Sequence, residues 1–185
     1  MSSKYTDIPK IFYDTVDEVP LRECNRCGKD LLESGEPYVI EKGFKRKEVL
    51  FEHAICMQCA EKMKQELSKE SLANIERFMM ERADFEGRME ELLDEDYSNE
   101  KWLGRCIISG EALEEQEEYQ IQGMFVGDRM LTLQFPYMIG GKALEEMQEL
   151  LSAETRDELD RIKDDLIKVP PEFEDILKPK FVPMA

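Results

Sequence analysis

The chain has a single histidine and a single tryptophan in 185 residues. Any imidazole chemistry must therefore use His53. Long apolar runs are also missing, and none approaches the ~20 residues that span a bilayer. The opening stretch, MSSKYTDIPKIFYDTVDEVP, carries charges where the apolar part of a signal peptide would lie. With 36% charged residues and a mean hydropathy of -0.53, the expectation is a soluble, cytoplasmic protein with no membrane segment. Cations are scarce: 25 Lys and Arg stand against 42 Asp and Glu, for a net charge of -17 shared almost evenly by residues 1–99 and 100–185. Such a field repels nucleic-acid phosphates at long range and favours basic partners. The ten glycines form no phosphate-cradling loop.

Cysteine is sparse as well, but its placement carries information. Four of five lie in two C-x-x-C pairs, Cys24/Cys27 and Cys56/Cys59, a metal-ligand spacing suited to a reducing compartment. Zinc takes four soft or borderline ligands in a tetrahedron, and a C-x-x-C knuckle offers two thiolates to one side of the ion. Gly28 follows the first pair and permits a tight turn. The second pair opens a helical pattern, where free N–H groups stabilise thiolates. One zinc per chain is expected, held by Cys24, Cys27, Cys56 and Cys59. Iron suits the set less well, because a rubredoxin-like site wants glycine after both pairs and Cys59 runs into Ala60. No βαβ pattern accompanies either pair, so thiol-disulfide exchange is disfavoured.

A knuckle, a hairpin, then two ligands in a helix's first turn resembles the treble-clef zinc fold over residues 24 to 67. His53-x-x-Cys56-x-x-Cys59 also looks like the middle of a LIM domain. The further ligands of a second LIM site do not appear before Cys106. His53 is accordingly expected on the second hairpin strand, either near the metal as an outer-sphere partner or alternative ligand, or as a core or surface histidine with no part in the site.

The chain also repeats itself. CNRCGKDLLESGEPYVIEKG at 24–43 aligns with CIISGEALEEQEEYQIQG at 106–123, offset by 82. Cys24 meets Cys106, Cys27 meets Ser109, Gly28 meets Gly110 and Tyr38 meets Tyr119. CMQCAEKM at 56–63 then falls on MIGGKALE at 138–145, and LSKES at 67–71 reappears as LSAET at 151–155. The second ligand set reads Cys106, Ser109, Met138 and Gly141, which cannot hold a tetrahedral zinc, so apolar packing should replace the ion there. Gly140-Gly141 at a helix start is expected to serve packing or to seat an anion.

The local patterns predict the same elements twice. EPYVIEK and KEVLFEHA form a hairpin about Gly43 and a basic turn. A helix follows Cys56, and after a break or new N-cap at Ser68 a long second helix carries Leu72, Ile75, Phe78, Phe85, Met89 and Leu92. The second half has EYQIQGMFV and RMLTLQF, then helices near 141–151 and 153–168 with Ser152 as cap. The expected class is α+β, with two tandem treble-clef-like units, the first zinc-bearing and the second degenerate. Its boundaries are an extended arm at 1–20, the zinc unit at 21–93, a linker at 94–100, the metal-free repeat at 101–168 and a Pro-rich arm at 169–185.

Catalytic constellations are poor. No spacing pairs His53 with a cysteine nucleophile, and the carboxylates lie on helical faces that solvent explains. A four-cysteine zinc is closed to water. Binding is thus the stronger class, with a protein partner or a homo-oligomer expected. Lys42, Lys45, Arg46 and Lys47 form the one basic cluster, a candidate contact for nucleic acid or an acidic partner. An enzyme site between the halves is the third reading, and a cavity lined by Cys106 or His53 would favour it.

Overall fold

A computed structural model of the chain describes residues 4–92 and 95–166. Strand β1 (Tyr5–Asp7) precedes the long hairpin of β2 (Pro37–Lys45) and β3 (Glu48–Cys56), which leads into helices α1 (Met57–Glu66), α2 (Lys69–Arg82) and α3 (Phe85–Leu92). The short α4 (Asn99–Trp102) is followed by β4 (Glu118–Val126), β5 (Arg129–Leu131), β6 (Tyr137–Gly140), α5 (Gly141–Glu149) and α6 (Ala153–Leu166). The chain is thus a mixed α and β protein around one six-stranded antiparallel sheet of order β1-β5-β4-β2-β3, with β6 also pairing β4. Among the described residues no helix is long and apolar enough to cross a membrane. The segment 169–185, expected as a Pro-rich arm, lies outside the described residues.

Arg46 and Lys47, with φ of 49° and 70°, make the two-residue turn of the first hairpin, a conformation matched to the twist of the strands it joins. Gly43 is not in that turn but inside β2, opposite Phe51. A Cβ there would lie 2.1 Å from the Phe51 ring, so the glycine makes room for an aromatic.

The sheet joins the two halves through its middle. β2 and β4 run antiparallel with Glu41 opposite Gln122, Tyr38 opposite Phe125 and Phe44 opposite Tyr119. The aromatic pairs stack at 5.4 and 4.8 Å between ring centroids. Stacked aromatics on a buried sheet face add to area burial, by about 1 kcal/mol for each pair. Both faces of β2 are buried. One of them receives the N-terminal residues, with Phe12 edge-on to Phe125 at 5.2 Å.

The long second helix expected over 72–92 is two helices. α2 ends at Arg82 with Ala83 extended, and Asp84 Oδ1 accepts the Gly87 N–H at 3.0 Å. Asp84 thereby starts α3 as an N-cap, the role its short carboxylate favours. The expected linker at 94–100 runs into α4, whose Trp102 is buried.

Caps also tie the helices together. Ser68 Oγ accepts the Ser71 N–H at the start of α2, and Ser152 Oγ accepts the Thr155 N–H at the start of α6. The two caps bond crosswise: Ser68 N–H donates to Thr155 Oγ1 at 3.1 Å, and Ser152 N–H donates to Ser71 Oγ at 2.8 Å.

Candidate metal centre

The first knuckle is shaped by its backbone. Cys24 N–H donates to Lys29 O at 2.9 Å, Gly28 N–H returns to Cys24 O at 2.8 Å, and Gly28 takes φ +72°, a conformation open to glycine at no steric cost. Asn25 fixes the loop to the end of β3. Its N–H donates to Ala54 O, and its Oδ1 accepts the Ala54 N–H, each at 2.9 Å. This clamp sets the knuckle beside Cys56, which ends β3 and caps α1, with Cys59 one turn into the helix.

The Sγ atoms of Cys24, Cys27, Cys56 and Cys59 consequently lie within 4.8 Å of one another. All four are free thiols; Cys27 is exposed and the others are buried. A tetrahedral ion with ~2.3 Å zinc–sulfur bonds requires sulfurs about 3.8 Å apart. Cys27 and Cys56 stand at 3.8 Å. The donor set and its spacing fit a metal ion, consistent with zinc.

Charge points the same way. Burial pushes the Cys24 thiol up, but N–H donors from Cys56, Cys27 and Arg26 outweigh it and bring the group down to about 7. Burial drives Cys56 up despite donors from Cys59. Cys59 is driven up by burial and by the neighbouring sulfurs of Cys56 and Cys27. Thiolates packed this closely oppose one another's ionisation, and a cation in their midst removes the conflict.

His53 is not part of this cluster. It lies opposite Glu41 in the β2–β3 ladder, and strand alternation turns it to the other face from Cys56. There His53 Nε2 is 3.3 Å from Glu41 Oε2. Gln120 Nε2 donates to the same oxygen at 3.4 Å, and Tyr137 OH donates to Gln122 Oε1 at 2.8 Å. These residues form a buried polar band across the middle of the sheet. Of the two placements expected for His53, at the metal or in the core, the structure has the second.

Around Cys106 the hydrogen bonds of the first knuckle recur. Cys106 N–H donates to Glu111 O, Gly110 N–H to Cys106 O, and Ile107 N–H to Met138 O, while Gly110 takes φ +73°. Gly140 N–H donates to Cys106 Sγ at 3.2 Å, as Cys56 N–H donates to Cys24 Sγ at 3.4 Å. The positions that answer Cys56 and Cys59 are therefore Gly140 and Ala143, a correction of two residues to Met138 and Gly141. The offset of 84 that joins LSKES to LSAET carries back through the helix and brings Met63 onto Met147, both buried. The sequence signal was present one segment further on. Gly140 is a packing glycine, since a Cβ there would lie 2.1 Å from the Gln116 side chain.

The basic cluster is largely neutralised. Lys42 is buried and pairs with Glu52 at 2.7 Å. Lys45 pairs with Glu118 at 2.7 Å and Arg46 with Glu117 at 3.0 Å. Only Lys47 has no ion-pair partner among the described residues. A cavity of about 280 Å³ between α3 and the second knuckle is lined by Cys106 together with Asp84, Arg88, Trp102 and Ser109, the feature expected to favour an enzyme site between the halves. No imidazole lines it, and His53 sits in the polar band instead.

Compared with known proteins, the chain matches no family model, no curated sequence and no solved structure.

Proposed function

We propose that the chain is a zinc-stabilised, non-enzymatic protein-interaction module of the cytoplasm, built from one treble-clef-like unit used twice. The observation that carries the metal reading is the convergence of four free thiols from a knuckle and a helix start within 4.8 Å. Zinc bound there closes the loop between residues 24 and 59 and fixes the β2–β3 hairpin to α1. A closed four-thiolate site has no open position for substrate, so its contribution is to folding.

The duplication draws support from three sets of paired geometry: the matching bonds around Cys24 and Cys106, the crossed caps of α2 and α6, and the central register. That register sets Glu41 against Gln122, and a constant shift of 81 positions carries Tyr38 to Tyr119 and Phe44 to Phe125. Each stacked pair is thus a tyrosine of one unit on a phenylalanine of the other, as a local two-fold axis between Glu41 and Gln122 requires. In the second unit Ser109, Gly140 and Ala143 stand where the first has ligands, and buried Met138, which answers the smaller Ala54, adds core in place of the ion.

Elemental analysis of purified protein should find one zinc per chain, and Cys59→Ser should lower both metal content and stability. Full metal occupancy with all four cysteines alkylated overturns the reading. A nucleic-acid role draws no support from cations already paired with Glu52, Glu117 and Glu118.

A further inference from the structure

The sheet ends on β3, and on its outer side residues Glu48–Leu50 meet no other strand among the described residues. At the opposite end of the sheet the matching place is filled. The hairpin of β4 and β5 closes on Val126 opposite Arg129, then Phe125 opposite Met130. The first hairpin closes on Lys45 opposite Glu48, then Phe44 opposite Val49. Along its outer edge β5 carries β1, with Tyr5 opposite Leu131, Thr6 opposite Met130 and Asp7 opposite Arg129. The correspondence of the two edges rests on the two-unit reading; the open edge of β3 does not.

We propose that Glu48–Leu50 is a docking edge for a short, extended, basic segment of a protein partner, which adds an antiparallel strand to β3 as β1 adds to β5. An uncovered edge presents unpaired N–H and C=O groups, and strand addition satisfies them. The charges specify the occupant. At the filled edge Arg129 Nη1 lies 3.6 Å from Asp7 Oδ1. At the open edge Glu48 holds the place of Arg129, is exposed, and makes no ion pair among the described residues. The incoming strand therefore presents Lys or Arg where β1 presents Asp7.

The surroundings fit that strand. A groove of about 820 Å³ runs beside the edge over Val49, Leu50 and Phe51, and Val16 and Val19 on its wall are 87% and 52% exposed. Asp17, Glu23 and Asp165 line the same groove and are exposed. Its one arginine, Arg22, is held by Asp30 at 2.8 Å. A second copy of a chain of net charge -17 is repelled from such a surface, whereas alternating basic and apolar side chains complement it. The site is short. A register shift at Gly43/Phe44 leaves Leu50 as an unpaired bulge between Val49 and Phe51, so the regular part of the edge is Glu48 and Val49, and Ala54 is already bonded to Asn25.

The test titrates the zinc-loaded full chain with a seven-residue peptide of alternating lysine and valine, read by NMR shifts and by hydrogen exchange at residues 48–50. The peptide should bind and slow exchange at those amides. Glu48→Lys should weaken it roughly tenfold and let a peptide of alternating glutamate and valine bind instead. Glu48 is exposed, and the circular dichroism spectrum reports whether the variant folds. Absence of protection on β3, or affinity unchanged by Glu48→Lys, overturns the proposal. So does binding that emerges only after residues 167–185 are removed, which would assign the groove to the chain's own C-terminal segment. Zinc content measured on the same sample scores the metal reading separately.

Discussion

Ser68 and Ser152, 84 residues apart in the chain, face each other with their hydroxyl oxygens 3.4 Å apart. Each caps its own helix, and each donates its backbone N–H to the hydroxyl of the other helix's first turn. The α2 and α6 helix starts are therefore one hydrogen-bonded unit, and the two halves of the chain are stitched together at a second place besides the sheet.

Removing either cap should cost about 1 kcal/mol of stability, the usual value for an N-cap serine. Because the caps share partners, their losses should not add. Urea unfolding of Ser68→Ala, Ser152→Ala and the double variant should give a coupling of about 0.5 kcal/mol or more. Strict additivity would show that the two helix starts are energetically separate.

Metal removal should act chiefly on the first half. A chelator is expected to lower the unfolding midpoint of the native protein and to make it depend on free zinc, since an ion bound only by the folded chain stabilises it by mass action. In the Cys59→Ser variant that zinc dependence should be largely gone. Cys106→Ser supplies the contrast. It should keep one zinc per chain and lose only the packing and hydrogen bonds of a buried thiol, about 1 to 3 kcal/mol.

How much of this could be read from the sequence differs by element. The cysteine cluster is legible because its two pairs keep a rigid spacing, and the first hairpin and both serine caps because their signals are local. The pairing of β2 with β4 was not. Nothing in VIEK or QIQG names a partner strand, and the buried charges Glu41 and Lys42 resemble the exposed positions of a one-sided sheet. Lys42 illustrates the ambiguity: it sits in a basic run, yet its ammonium lies under the N-terminal residues. Asp84 lies inside an apolar periodicity that continues across it, and only the Gly87 N–H that its carboxylate accepts marks the end of one helix and the start of the next.

The polar band should be tightly specified. Tyr137 OH is the donor to Gln122 Oε1 in a fully buried setting, and burial raises the phenol above its ordinary range. Tyr137→Phe should cost about 1 to 3 kcal/mol, because it leaves a buried amide oxygen without this donor. Gln122→Leu in that background should recover part of the loss. No recovery would mean that the phenol is held for another reason.

The buried ion pair Lys42–Glu52 gives the sharpest separation between losing one partner and losing both. Lys42 Nζ reaches Glu52 at 2.7 Å, donates to Tyr13 O and lies 3.3 Å from Thr15 Oγ1. Glu52 accepts in turn from Thr15 N–H and Oγ at 3.0 and 2.6 Å. The pair thus pins the N-terminal residues to the sheet. Lys42→Met strands a mostly buried carboxylate and should cost about 3 to 5 kcal/mol. Changing both residues, Lys42→Met with Glu52→Gln, keeps hydrogen-bonding groups for Thr15 while removing both charges, and should return most of that loss. The paired variant should unfold within about 1 to 2 kcal/mol of the native protein. A double variant no more stable than Lys42→Met alone would place the cost in the bond to Tyr13, and the ion pair would then be incidental to the docking of the arm.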